Sequence, residues 1–457
     1  MAIENEISYS INFSQDLLYI ILDSYISKKF KAFEQYYDFV DENNVRTRLV
    51  EGGSLTSVQK SCTSLNKFVH VDRNVLVPFV DRCSVEEPNQ SPSRVLRRIV
   101  KCKVFKSDEC PECEVKFEHI YFNKNLIDKF DSLMATKQIV LYNLLRNQNE
   151  NLIKESHLGS DEILASLRLE YEYRGGAVDR KVLDFMARVV CDMDALAAHH
   201  NISPLLPYTT LMNSIIYKKF EDEKILYDGC DNDSIYKWAL KLDGTRGKGF
   251  FTRTFMIVFM DDMQMFSGPF DNNLFTLNNV VAFQCELIDS TLFITDLLHV
   301  FKYSYNNRTQ YEVSLDPYQI EPSAALECLN FMAEKYNHRP VTFQLTTRQD
   351  QTINVKFQQF LDPPIMHNSY STMPTDGFVV LDTAMRYVKY KQMKTVEVEY
   401  DAEQALCRSL EGPIQNKQIV VSPSVAQPLQ HQTIYEALIT DSTITILKHR
   451  PDRLVPN

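Results

Sequence analysis

Residues 3–11 alternate between Glu4, Glu6, Ser8 and Ser10 on one side and Ile3, Ile7, Tyr9 and Ile11 on the other, the period of a half-buried strand. The same period recurs at Arg46-Thr47-Arg48-Leu49 and along the run in which Arg97, Lys101 and Lys103 share a face. It returns where Glu112, Glu114, Lys116 and Glu118 are backed by Cys113, Val115 and Phe117, and again at Leu167-Arg168-Leu169-Glu170-Tyr171-Glu172-Tyr173. Strands that each present a charged face must turn it to solvent or to a common polar interior. Helical spacing is read over 126–148 and 163–166, and Gly175-Gly176 breaks the last acidic strand. Residues 179–199 then read as an amphipathic helix with Val182, Phe185, Met186, Val189 and Met193 along one stripe. Asn201 to Pro207 reads as a domain joint. A mixed pattern follows to about Tyr400, and a small β-rich segment ends the chain, with strands expected at 395–400, 418–421 and 443–447.

The 457 residues suffice for two or three domains. Apolar and charged fractions of 44% and 24% are those of an ordinary globular protein, and no long uncharged apolar stretch or basic leader is seen, so neither a secreted nor a membrane-spanning protein is expected. A net charge of −11 argues against coating nucleic acid with a general basic field and leaves room for a local cationic channel. Ten scattered cysteines suit a reducing compartment. Cys110-Pro111-Glu112-Cys113 lacks the second ligand pair that zinc requires and reads as a plain loop.

Chemistry concentrates at Lys241-Leu242-Asp243-Gly244-Thr245-Arg246, which follows the short apolar strand 236–240. Lys241 and Asp243 are two apart and share a side, and Gly244 permits a tight turn beside a phosphate. A lysine that attacks the α-phosphorus of a nucleoside triphosphate must be neutral, and Arg246 is a neighbouring cation that favours this. Further acids and cations follow in order. Glu286 interrupts the apolar run 280–288, Asp296 interrupts 292–298, Asp376-Gly377 opens a strand, and Lys389 and Lys391 face the same way. The chain ends Arg450-Pro451-Asp452-Arg453-Leu454-Val455-Pro456-Asn457. Each alone also reads as a strand end or a solvated charge; their order is what joins them.

This ordered set resembles the covalent nucleotidyltransferase superfamily of mRNA capping guanylyltransferases and polynucleotide ligases, and the terminal Arg450-x-Asp452-Arg453-x-x-Pro456-Asn457 resembles the capping form. The resemblance implies that Lys241 forms a lysyl-GMP, that Arg246 and Glu286 hold the ribose, and that Lys389 and Lys391 hold phosphates. Asp243, Gly244, Asp296, Asp376, Gly377, Arg450, Asp452 and Arg453 complete the implied GTP site. Three positions depart from the superfamily pattern. Gln284-Cys285 stands for the usual Asp-Gly, Asp376-Gly377 for Glu-Gly, and Arg453 for Lys.

Beside such a domain, Glu4-x-Glu6 and Glu170-x-Glu172 resemble the metal glutamates on the first and last strands of tunnel-type RNA triphosphatases. Arg46, Arg48, Arg97, Lys101, Lys103, Lys116 and Arg168 are then the candidate ligands of an RNA 5′-triphosphate. The opening Glu4 to Leu18, with triphosphatase and guanylyltransferase in that order, resembles the baculoviral late expression factor four family over essentially the whole chain. The implied architecture is α+β and multidomain: a tunnel-type β-barrel triphosphatase domain (1–176), a helical linker (177–204), a nucleotidyltransferase domain (205–398) and an OB-type β lid (399–457). The implied cofactor is Mg²⁺ or Mn²⁺ in both sites, with GTP as substrate. Implied partners are the nascent RNA 5′ end and other subunits of a viral RNA polymerase in the host nucleus, with no membrane. An ATP-dependent ligase and a catalytically degenerate polymerase subunit are the rival readings.

Overall fold

The computed structural model describes residues 2–13, 15–50, 55–89, 93, 95–123, 164–175, 177–197, 208–225, 232–252, 255–269, 279–305, 313–338, 344–346, 352–366, 373–391, 393–425, 428–451 and 453–456. Residues 1–211, 271–281 and 299–321 form one compact unit, and 212–270, 282–298 and 322–457 form another. The helix expected over 126–148 lies outside the described residues.

Eight antiparallel strands build the first unit: β1 (Ala2–Ile11), β2 (Lys31–Asp41), β3 (Val45–Val50), β4 (Thr56–Asp72), β5 (Val75–Pro88), β6 (Leu96–Lys106), β7 (Cys113–Asn123) and β8 (Leu164–Tyr173). They close into a barrel in the order β1-β5-β4-β3-β2-β6-β7-β8. Residues 164–166, where helical spacing was expected, are the start of β8, because Ala165 pairs with His119 and Ser166 with Glu118. Alternation divides β7 and β8 between two environments. Val115, Phe117, Leu167 and Leu169 are fully buried on the outer face, in one core with Leu17, Leu18 and Ile21 of helix α1 (Gln15–Ile21) and Phe185, Met186 and Val189 of α2 (Arg180–Ala197). The charged positions between them are left for the interior. The stripe of 179–199 is thus a barrel-packing face. His70 and Tyr25 anchor the helix further through Asp184 and Asp192, each at 2.8 Å.

In chain order the later strands are β9 (Asp222–Ile225), β10 (Ile235–Leu242), β11 (Thr245–Phe251), β12 (Phe255–Met260), β13 (Met265–Pro269), β14 (Asn279–Ile288), β15 (Thr291–Tyr305), β16 (Val313–Gln319), β17 (Gln344–Thr346), β18 (Thr352–Phe357), β19 (Thr375–Asp382) and β20 (Tyr387–Lys391). They are followed by β21 (Val396–Asp401), β22 (Leu406–Ser409), β23 (Gly412–Ile414), β24 (Gln418–Val421), β25 (Thr433–Ile439) and β26 (Thr443–His449). In the second unit, β10-β19-β20-β9 form one sheet. A second sheet runs β14-β11-β12-β13-β17-β18-β15, with β14 also pairing β15. Asn330 of helix α3 (Pro322–Tyr336) and Asn337, just beyond its end, exchange two hydrogen bonds each with the backbone of Phe360 and Phe357 respectively. The last six strands make a sheet of order β23-β22-β21-β25-β26-β24 with its own core of Val398, Cys407, Tyr435, Ala437, Ile444 and Ile446. No helix among the described residues is long and apolar enough to cross a membrane.

Two candidate active sites

The barrel encloses a charged cavity of about 710 Å³. Glu4 and Glu6 line it from β1, and Glu170 and Glu172 from β8. Glu6 pairs directly with Glu172, and Glu170 with Glu114 of β7. Oxygens of Glu114, Glu170 and Glu172 lie within 4.8 Å of one another, a hard-oxygen donor set that fits a Mg²⁺ or Mn²⁺ ion. Glu114 was not singled out as a ligand by the sequence, although its place beside Lys116 on the charged face of β7 was legible. Burial presses each carboxyl upward, and neighbouring charges decide the outcome. Glu170 stays below the ordinary range because Arg168 and Lys116 lie against it, and Glu114 because Lys116 and Lys106 do. Glu4 is lowered against its burial by Lys60 and Arg46. Glu172 is raised, since burial and the charges of Glu4, Glu114 and Glu170 outweigh Lys116.

Of the expected phosphate ligands, Arg46, Arg48, Lys116 and Arg168 line the cavity. Arg46 is held by Glu86 at 2.9 Å, and Arg48 is gripped bidentately by Asp38 at 2.8 and 2.9 Å while stacking on Tyr36. Lys116 bridges Glu114 and Glu170, and Arg168 bridges Glu118 and Glu170. Arg97, Lys101 and Lys103 turn the other way. Lys103 pairs with Phe117 and Lys101 with His119, so both share the outer face of β7, where Phe117 is packed under the helices. Arg97 donates to Asn44 at 3.2 Å. The basic residues of β6 that line the cavity are Arg98 and Lys106, and Lys60, Arg82 and Arg174 add further cations. Sequence alternation did not reveal this, because β6 carries apolar and basic residues on both faces.

The second site is a cleft of about 500 Å³ around Lys241, near the end of β10. Lys241 Nζ donates to Asp376 Oδ2 at 3.1 Å, and Lys391 Nζ lies 3.9 Å from the same oxygen. Gly377, with φ +90°, explains how: a Cβ there would lie 1.9 Å from the Tyr390 carbonyl oxygen, so β19 and β20 approach closely only with glycine. Gly244 has a related cause, since a Cβ would meet the Leu287 carbonyl oxygen at 2.4 Å. Lys389 has its pKa lowered by burial and by Lys391, Lys241 and Arg246, against the pull of Glu223. Glu286 lines the cleft, its Oε2 buried without a hydrogen-bond partner among the described residues, and burial raises its pKa to about 7.

Asp296 lies off the cleft. It is 1% exposed, beside Tyr387, with its pKa raised by burial to about 6, and its neighbour Thr295 is the residue that lines the cleft. Alternation along β15 separates the two. Arg246 is paired with Asp261 at 2.9 Å and stacks on Tyr217, whose hydroxyl donates to Asp261. Arg450 and Arg453 line the cleft through Glu397, at 3.3 and 2.9 Å. Asp452 lies outside the described residues. Three participants had no sequence signal. Lys448 of β26 reaches Asp243 at 2.9 Å, and Lys218 and Phe220 sit on the irregular segment that Lys248 fixes through the Met212 and Ile215 carbonyls.

Residues 4–457 match the profile described as Late expression factor 4. The chain belongs to the late expression factor 4 family. It is 48% identical to the mRNA capping enzyme LEF-4 of Autographa californica nuclear polyhedrosis virus and 43% identical to that of Orgyia pseudotsugata multicapsid polyhedrosis virus. Both alignments cover 100% of this chain and 98% of the relative. Among solved structures, the S. pombe Pct1 RNA triphosphatase is similar over 37% of this chain and 70% of its own, with TM-score 0.22 and 9% identity. The Mimivirus capping enzyme triphosphatase is similar over 42% of this chain and 88% of its own, with TM-score 0.25 and 11% identity.

Proposed function

We propose that the chain is a two-activity mRNA capping enzyme. The barrel removes the γ-phosphate of a triphosphate-ended RNA, and Lys241 carries GMP from GTP to the resulting diphosphate end. The observation that carries the reading is Lys241 Nζ in a cleft beside Asp376 and Lys391, in a chain whose full-length relatives are named mRNA capping enzymes.

In the cleft, Asp376 is the carboxylate within reach of the proton that Lys241 must shed. The neutral amine then forms a bond to the α-phosphorus as the α–β bridge breaks and pyrophosphate leaves. Lys389 and Lys391 are the cations on the phosphate side. Glu286, with an unmatched buried oxygen, suits a ribose hydroxyl donor. Arg450 and Arg453 would orient the leaving pyrophosphate. The RNA β-phosphate oxygen next displaces Lys241 from GMP, and the lysine regains its proton. In the barrel, a divalent cation held by Glu4, Glu6, Glu114, Glu170 and Glu172 would neutralise phosphate charge. Arg46, Arg48, Lys116 and Arg168 would grip the phosphate oxygens. The proposal extends to action as a subunit of a viral polymerase in the host nucleus.

Incubation with labelled GTP and Mg²⁺ should leave GMP on the wild type and none on Lys241→Ala. Labelling that persists in the variant would sink the assignment, and labelling by AMP instead would favour a ligase. Glu172→Ala should end phosphate release from triphosphate-ended RNA and leave GMP labelling intact.

A further inference from the structure

Lys60 of β4 has Glu86 of β5 as its cross-strand partner, and Glu86 in turn faces Ala2 of β1. The nearest acid is nevertheless not where Lys60 goes. Glu86 is taken by Arg46, and the lysine arm runs on to β1, where Nζ lies 2.6 Å from Glu4 Oε2 and 3.6 Å from Glu6 Oε2. Ser84, the β5 partner of Glu4, is small enough to leave the crossing open. One ammonium is therefore shared between the two β1 carboxylates. Glu6 directly faces Glu172 of β8, and Glu172 makes no ion pair among the described residues. A hard cation shared by Glu6 and Glu172 would compete with Lys60 for the same carboxylate oxygens.

Two other cavity cations are held more tightly. Arg48 is fixed by a two-point grip on Asp38, and Lys116 is 7% exposed between two acids. Lys60 is a point charge on a flexible four-carbon arm, with 23% of its side chain exposed to the cavity. Lys106, 3.0 Å from Glu114 and 26% exposed, is a similar arm, but Lys60 is placed to release both β1 carboxylates at once.

We propose that Lys60 is an exchangeable counter-cation, shared by Glu4 and Glu6 and swinging onto the phosphates of a triphosphate end when a divalent cation takes those carboxylates. The proposal rests on the triphosphatase reading of the barrel. Its consequence is reciprocal coupling: triphosphate gives Lys60 an alternative partner and so tightens cation binding, and the cation frees Lys60 for triphosphate. Without the ammonium, the free protein binds the cation more tightly and most of the coupling disappears.

The test is Mn²⁺ titration of the full chain, followed by the electron paramagnetic resonance of free Mn²⁺, with and without non-hydrolysable imidotriphosphate. Glu172→Gln identifies the share of binding that belongs to the barrel. Lys60→Gln should bind barrel Mn²⁺ about tenfold more tightly than wild type. Imidotriphosphate should tighten the wild type about tenfold and the variant less than about twofold. Lys60→Met, which keeps the apolar stem, carries the same expectation if Lys60→Gln loses its cooperative thermal transition. Mn²⁺ binding by the folded variant that is equal to or weaker than wild type overturns the assignment of Lys60. A wild type with no Glu172-dependent Mn²⁺ binding and no phosphate release would instead overturn the triphosphatase reading beneath it.

Discussion

Glu6 on β1 and Glu172 on β8 face each other directly across an antiparallel pair inside the barrel. Like charges so placed repel, and Glu172 lies among further acids: its pKa is raised first by burial and then by Glu4, Glu114 and Glu170. A carboxyl whose folded-state pKa lies above its unfolded value costs stability, and the cost grows as pH rises past the unfolded pKa. Glu172→Gln should therefore melt at a higher temperature than wild type at pH 7.5 in chelator. Added Mn²⁺ should raise the wild-type midpoint and leave the variant's nearly unmoved. A lower midpoint for the variant in chelator would contradict the repulsion.

Burial lifts Glu286 from 4.5 to about 7, so its sign is the same and its window is wider. The penalty is absent below pH 4.5, accumulates up to about pH 7 and is constant above. Glu286→Gln should be stabilised relative to wild type by an amount that grows across this window to at most about 3 kcal/mol. Denaturant melts at pH 5 and pH 8 measure the difference, and an equal gain at both would contradict it.

Asp376→Asn preserves the shape of the group that receives the Lys241 hydrogen bond and removes its basicity. The rate of GMP labelling should fall by about 10²-fold, with the remaining activity shifted to higher pH. Single-turnover labelling between pH 6 and pH 9 reads both effects. A rate within threefold of wild type would remove Asp376 from the proton's path.

The two faces of β6 give a paired prediction. Arg98→Ala and Lys106→Ala, on the cavity side, should each slow phosphate release by about tenfold or more. Lys101→Ala and Lys103→Ala, opposite Phe117 and His119, should stay within about twofold. Steady-state phosphate release from triphosphate-ended RNA separates the pairs.

Lys448 and Asp243 form an exposed ion pair, with side chains 47% and 41% exposed. Lys448→Ala should therefore change stability by less than about 1 kcal/mol. It should alter the KM for GTP more than the melting midpoint, because the lost contact touches the nucleotide motif. A large fall in the midpoint would show that the pair is structural.

The strands of the barrel were legible wherever one face was apolar, as at Val115 and Phe117 behind Lys116. Legibility failed on β4 and β6. From Thr56 to Asn66, β4 has no apolar alternation, so Lys60 had no pattern to mark it, and β6 mixes Ile99 with Lys101 on one face and Val100 with Arg98 on the other. In the cleft, short motifs revealed Lys241, Asp376 and Lys391, whose spacing is set by adjacent strands. Asp296 is buried off the cleft lining, a placement the sequence could not give, because an acid in an apolar run signals burial as readily as catalysis and only the register of β15 decides which side it faces. Partners that meet through tertiary contact, such as Asp243 and Lys448, are separated by 205 residues and leave no local trace.

The eight strands close on themselves without a free edge. A polymer cannot enter such a ring sideways, and its interior has room for little beyond side chains and a small ligand. Only a chain terminus could be threaded in from an opening, so on the proposed function a phosphodiester in the middle of an RNA would be excluded by topology before any charge is tested. Under the proposed triphosphatase activity, closure of the barrel would distinguish the end of a transcript from its body.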